Sequence, residues 1–106
     1  MICKKKLNEA MDRLGYSEAN SGTEFTRAGV AMVEANRRAM MCKDIYPALA
    51  KAAGTTPTRV ERCMRHATER AMRSPMWEHE WRELGGWNHP TNSEVLRRLA
   101  RECIAD

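Results

Sequence analysis

Aromatic residues are scarce in this chain: one Phe, two Tyr and three Trp make up 6% of its 106 residues. Runs of β-branched residues are missing too. Strands draw their packing from those residue types, so the shortage argues against sheets and for packed helices. No apolar run approaches the length that crosses a bilayer, which excludes a transmembrane helix. The opening MICKKKLNEAM also lacks the apolar segment of a secretory signal. The four cysteines, Cys3, Cys42, Cys63 and Cys103, lie far apart and form no C-x-x-C pair. With no export signal, that usage implies free thiols in a reduced, cytoplasmic protein. Glycine-rich phosphate loops, nucleophile elbows and paired-carboxylate signatures are absent, so an enzyme has no residues to rest on. Neither a repeat nor a low-complexity tract divides the chain, and residues 1–106 are expected to form a single domain.

What is present is a series of helix signals. Eight methionines and a 42% hydrophobic content suit an all-α core. Leu7, Met11 and Leu14 recur at helical spacing before Gly15, predicting a first helix over about 3–14. A polar stretch, SEANSGT, reads as a loop. A second helix is expected from Thr23 through Ala28, Ala31, Met32 and Ala35 to Arg38. A third covers Asp44 to Ala53, with Pro47 confined to its first turn. Thr56 and Pro57 give a cap followed by a first-position proline, opening a fourth helix that runs to Arg73. Ser74-Pro75 repeats the signal for a fifth, ending at Gly85-Gly86. Thr91 and Glu94 form a capping box before a sixth through Val95, Leu96, Leu99 and Cys103. The expected fold is therefore a compact six-helix domain.

The third and fourth helices are joined by Gly54-Thr55-Thr56, the short turn of a helix-turn-helix. Ala50 is small where the two helices must meet, Gly54 can take the positive φ of the turn, and Val60 locks the fourth helix onto the third. At 100° per residue, Val60, Cys63, Met64, Ala67 and Ala71 fall on one side of the fourth helix. Arg59, Arg62, Arg65, His66, Arg70 and Arg73 fall on the other. Residues 56–73 hold five Arg and two Glu, a local charge of +3, whereas 74–106 hold four Arg and six acids, a local −2. The whole chain carries +4, so its excess positive charge is concentrated on one helix. Arginine suits this use because its planar fork bonds guanine O6 and N7 together or grips a phosphate. The competing reading is a solvated face stapled by pairs such as Arg65–Glu69. The run Lys4-Lys5-Lys6 reads as a solvated terminus that adds non-specific phosphate attraction.

The stretch YPALAKAAGTTPTRVERCMRHATERAM, followed by PTNSEVL, resembles the C-terminal effector-domain family of stage-zero sporulation protein A, the response regulator of entry into sporulation. The likeness is strongest in Tyr46–Met72 and Pro90–Val95, and RVER-xx-RHA and PTNSE are its specific strings. The resemblance implies a six-helix fold whose fourth helix enters the major groove of double-stranded DNA at a TGTCGAA-like box. Tandem or dimeric occupancy of adjacent boxes is implied with it. Carried onto matching positions, Arg59 reads guanine, Glu61 reads cytosine and Arg62 contacts a base. Arg65 and His66 fall to the phosphate backbone, joined by the turn residues Thr55, Thr56 and Thr58. The sequence departs from the family in two ways. It shows no phospho-accepting receiver domain, as expected of either an excised piece of a longer protein or a free-standing relative. Its segment RSPMWEHEWRELGGWNH differs from the one through which the family contacts the RNA polymerase sigma subunit.

Other constellations point to packing rather than chemistry. Cys63 and His66 lie three apart but towards different faces, and His79-Glu80 lacks the second histidine of a zinc motif, so neither metal nor cofactor is expected. Trp77, Trp81 and Trp87 read as an aromatic cluster, with core packing favoured over a partner surface. The alternative function is a protein-interaction module that binds a partner, such as a full-length relative, through the tryptophan-bearing fifth helix.

Overall fold

The computed structural model describes residues 1–105. Among them, six α-helices follow in chain order: α1 (Lys4–Leu14), α2 (Ser21–Ala35), α3 (Tyr46–Ala53), α4 (Pro57–Ala71), α5 (Trp77–Glu83) and α6 (Asn92–Glu102). Among the described residues the only strand-like pairing is an isolated antiparallel bridge between Ile2 and Ile104, and no helix is long and apolar enough to cross a membrane.

Helix α2 lies at the centre, with α4 and α6 packed against it and α5 against α1. It begins earlier than the sequence suggests, inside the apparent loop. Asn20 is its cap and accepts the Gly22 N–H at 2.7 Å, a short polar side chain outcompeting the weaker signal of Thr23. The helix stops at Ala35 rather than Arg38, where Asn36 turns extended. Its buried face is also not the expected one. Gly22, Thr23, Thr26, Gly29, Val30 and Val33 are buried, while Ala28, Ala31 and Ala35 are exposed and Met32 half-buried. The alanines offer little area to bury, so the valines decide which face turns inward. The glycines then set how close the neighbours come. A Cβ on Gly22 would occupy the place of the Cys63 carbonyl of α4, and one on Gly29 would meet Leu96 of α6 at 2.8 Å. Thr26 satisfies its hydroxyl on the Gly22 carbonyl at 2.7 Å, whereas the Thr23 hydroxyl is buried without a partner.

A π-helical turn, Met41–Ile45, runs directly into α3. The sequence places the start at Asp44. The structure shows Asp44 inside that turn, its carboxylate accepting the Met40 N–H at 2.7 Å. Pro47 supplies the physical reason, because its ring would clash with the carbonyl four residues back in a regular helix. The wider turn, with Ile45 N–H bonded to the Met40 carbonyl at 3.0 Å, relieves that crowding. Helix α4 ends at Ala71, two residues short of Arg73. Ser74-Pro75 does not open α5 directly. Ser74 accepts the Met76 N–H at 3.3 Å and its carbonyl accepts the Trp77 N–H at 3.1 Å, a turn that delays the helix to Trp77. The expected capping box of α6 is present in both directions, Thr91 with Glu94.

The expected tryptophan cluster is a pair. Trp77 and Trp81 are buried and stacked with ring centroids 5.4 Å apart, and Tyr16 tilts against Trp77 at 6.3 Å. Trp87 is 74% exposed and joins only through its carbonyl, which accepts the Trp81 indole N–H at 2.9 Å. Tyr16 in turn shares a 2.7 Å hydrogen bond with Thr68 of α4, tying the α1–α2 connection to that helix.

Two expectations follow. Gly22→Ala should destabilise the protein by about 1–3 kcal/mol, the cost of overpacking a close helix contact, measured as a shift of the urea midpoint at unchanged slope. Burial pushes the Tyr16 hydroxyl up to about 12, with the bond to Thr68 opposing in part. A raised folded-state value means that the unfolded chain ionises first, so stability is full below pH 10 and falls between pH 10 and about 12. Tyr16→Phe should remove on the order of 2 kcal/mol of that alkaline loss, read as the difference between the two proteins' stability profiles across that window.

Candidate nucleic-acid interface

The helix-turn-helix begins with the way α3 ends. Gly54 adopts φ 67°, ψ 38°, and its N–H and that of Thr55 bond back to the Lys51 and Ala50 carbonyls at 3.4 and 2.9 Å. This is a Schellman closure, which needs a left-handed residue after the helix. A Cβ at Gly54 would meet nothing within 4 Å, so the backbone angle, not space, calls for glycine. Ala50 and Val60 are 2% and 0% exposed, as the motif requires for two helices in close contact.

Thr56 caps α4 by accepting the Arg59 N–H at 3.2 Å. Its hydroxyl proton is still available to donate. Val60 N–H bonds the Thr56 carbonyl and Pro57 has no N–H, so Thr58 is the first-turn amide left without a partner among the described residues. An exposed amide at a helix N-terminus is receptive to anions. Thr56 and Thr58 are exposed and Thr55 half-buried.

Helix α4 divides cleanly. Val60, Met64, Ala67, Thr68 and Ala71 are buried. Cys63 is only half-buried, and Thr68 takes a place on the core face that the apolar pattern does not mark. Arg59, Arg62, Arg65, His66, Arg70 and Arg73 are all exposed. The pair that forms on this helix is Arg65–Glu61 at 3.0 Å, not Arg65–Glu69. That bond with Glu61 raises Arg65 further above its ordinary value, keeping the guanidinium charged. Only one carboxylate oxygen of Glu61 is used, leaving the other open to accept. Among the described residues, Arg59, Arg62, Arg70 and Arg73 have no carboxylate partner. At 100° per residue Arg59, Arg62, His66 and Arg70 lie within about 80° of arc on α4, and Arg73 follows just past its end.

One functional residue escapes the sequence reading. Asn92, the first residue of α6, donates its side-chain amide to the Glu61 carbonyl at 3.2 Å and to the Tyr46 hydroxyl at 3.1 Å. It thereby holds the first residue of α3 and the second turn of α4 from a third helix. The PTNSE string contains Asn92, but the capping box there accounts for Thr91 and Glu94 alone. Only tertiary structure brings Tyr46 and Glu61 to it. Beside this clamp, a cleft of about 360 Å³ is lined by Tyr46, Glu61, Arg65, His89, Thr91 and Ser93. The described residues contain no grouping of three or more His, Cys, Asp or Glu able to hold a metal.

A helix-turn-helix with one core face and one face of unpaired arginines defines a helical DNA-binding domain. The family model for the sporulation initiation factor Spo0A C-terminal region matches residues 7–103. The chain belongs to that family of DNA-binding effector domains of sporulation transcription regulators.

Arg59→Ala should leave stability within about 0.5 kcal/mol of the parent, as expected of an exposed side chain without partners. Asn92→Ala removes two hydrogen bonds, to the Glu61 carbonyl and the Tyr46 hydroxyl, and should cost about 1–3 kcal/mol. Parallel thermal melts of the two variants test the assignment of faces. A large loss from Arg59→Ala would overturn it.

Proposed function

We propose that this domain binds double-stranded DNA sequence-specifically, with α4 in the major groove of a TGTCGAA-like box. The observation that carries the reading is the row of exposed arginines without carboxylate partners on a helix whose other face is locked into the core. Unpaired guanidiniums on a rigid element are prepared for anions and guanine edges, because no internal ion pair has to break first. Arg59, in the first turn, takes guanine. Glu61 offers its open carboxylate oxygen to a cytosine amino group while Arg65 holds the other. Arg62 contacts a base one turn further along. Thr55, Thr56, Thr58, Arg65 and His66 meet phosphates, with the Thr58 amide and the Thr56 hydroxyl proton directed to the backbone at the helix N-terminus. Adjacent boxes are read by tandem copies.

The protein-interaction alternative has less to support it. Both tryptophans of α5 are buried against each other and Tyr16, and the exposed one, Trp87, lies beyond the helix. For the same reason contact with a polymerase sigma subunit does not enter this proposal.

Fluorescence anisotropy with a labelled duplex carrying the box, beside a shuffled duplex, tests the proposal at low and near-physiological salt. The box should be bound more tightly, and the preference should survive the higher salt. Arg59→Ala should lower affinity for the box roughly 10- to 100-fold while changing binding to the shuffled duplex little. Equal, salt-erased binding to both duplexes would reduce the protein to a basic helical domain without base readout.

A further inference from the structure

Sequence separates Cys3 and Cys103 by nearly the whole chain, yet the fold joins their backbones by a hydrogen bond. The Ile2–Ile104 bridge is held by two backbone hydrogen bonds of 2.8 Å, Cys3 N–H to the Cys103 carbonyl and Ala105 N–H to the Met1 carbonyl. The first of these bonds joins Cys3, in extended backbone, directly to Cys103, which closes α6 at φ −110°, ψ 32°, and residues joined in this way stand with Cα atoms about 5.5 Å apart. A disulfide spans Cα distances of about 4.4–6.8 Å, so the backbone already stands within bonding range. The other two cysteines are elsewhere, Cys63 on α4 and Cys42 on the π-helical turn before α3.

The two thiols are unequal. Cys103 closes α6 and is 2% exposed, packed into the core, whereas Cys3 caps α1 and is partly open to solvent. Burial, with Glu102 beside it, pushes the Cys103 thiol up, against a partial opposing pull from Arg13 and Lys6. A bulky oxidant therefore reaches Cys3 first, and Cys103 is placed to resolve the product from within.

We propose that Cys3 and Cys103 form a reversible disulfide by exchange with a low-molecular-weight disulfide of the glutathione type. The Cys3 thiol loses its proton, and the thiolate attacks one sulfur of oxidised glutathione. The S–S bond of glutathione breaks, and one glutathione leaves and takes up a proton. Cys103, deprotonated in turn, attacks the Cys3 sulfur of the mixed disulfide and displaces the second glutathione, which is also protonated. Two protein thiols lose two electrons and two protons, and one glutathione disulfide becomes two glutathione thiols. The Cys3 sulfur is partly open to solvent, so a small thiol can attack the closed bond, and exposed disulfides are the readily reduced ones.

The test uses the full chain equilibrated in glutathione buffers from fully reduced to strongly oxidising, with free thiols then alkylated. Peptide mapping without reductant should find the Cys3 peptide joined to the Cys103 peptide, with Cys42 and Cys63 alkylated. The linked protein should melt higher by roughly 5 °C or more, since the bond closes a loop of about 100 residues in the unfolded chain, and dithiothreitol should reverse the shift. Cys3→Ser keeps a residue suited to a helix cap. It should melt like the reduced parent and lose both the linkage and the oxidative shift. A glutathione adduct at Cys3 that never resolves, a linkage through Cys42 or Cys63, or no oxidation of the pair at any ratio would each overturn the proposal.

Discussion

The fold depends on the close contact of α2 with α4 at Gly22. With a hydrogen in place of a methyl group, the first turn of α2 reaches the Cys63 carbonyl in the middle of α4. Core side chains on α4 then pack against the centre of the protein on one face only. Val60, Met64, Ala67 and Ala71 are all 3% exposed or less. Because that face is fixed, the rotation of α4 about its own axis is fixed, and with it the direction of every arginine. A helix held less tightly would present the same charges without a defined register, and base readout requires register.

Three further supports act on the same helix. Gly54 sets the angle at which α3 hands over to α4. Asn92 holds its second turn from α6, and Tyr16 holds its C-terminal half through Thr68. These contacts come from different parts of the chain, so the rest of the domain serves largely to position one helix. None of them uses an exposed arginine. The packed face and the arginine face of α4 are therefore separate, and a substitution on the outer face is free to change the exposed charge without loosening the core.

The parts legible in the sequence were those governed by local chemistry. Thr56-Pro57, Gly54, and the Thr91–Glu94 box specify their caps within four residues, and all three stand where the sequence puts them. The two faces of α4 were legible as well, since one holds most of the apolar residues and the other the arginines. What escaped depended on distant partners. Thr68 is buried because Tyr16 meets it, and Ala28, Ala31 and Ala35 are exposed because no helix covers them. The Ser74-Pro75 cap signal was real but was consumed by a turn, its hydroxyl spent on the Met76 N–H. The exposed side chains of α4 were readable in type and position; the clamp that holds that helix was not, since Asn92 lies 31 positions from Glu61 and 46 from Tyr46.

Helix α6 shows how the domain separates its tasks. Its first residue, Asn92, holds α3 and α4, and its C-terminal cap, Cys103, belongs to the closure with the N-terminal segment. Eleven residues at 1.5 Å each place those ends about 16 Å apart. Between them Val95, Leu96, Leu99 and Ala100 are buried at 1% exposure or less, so the helix is a strut embedded in the core rather than a lever. Chemistry at the Cys103 end changes how firmly the chain is closed on itself. The orientation of α4 at the other end is set independently by Asn92, Gly22 and Gly54. The closure of the chain and the hold on α4 thus sit at opposite ends of one helix, separated by a length packed into the core.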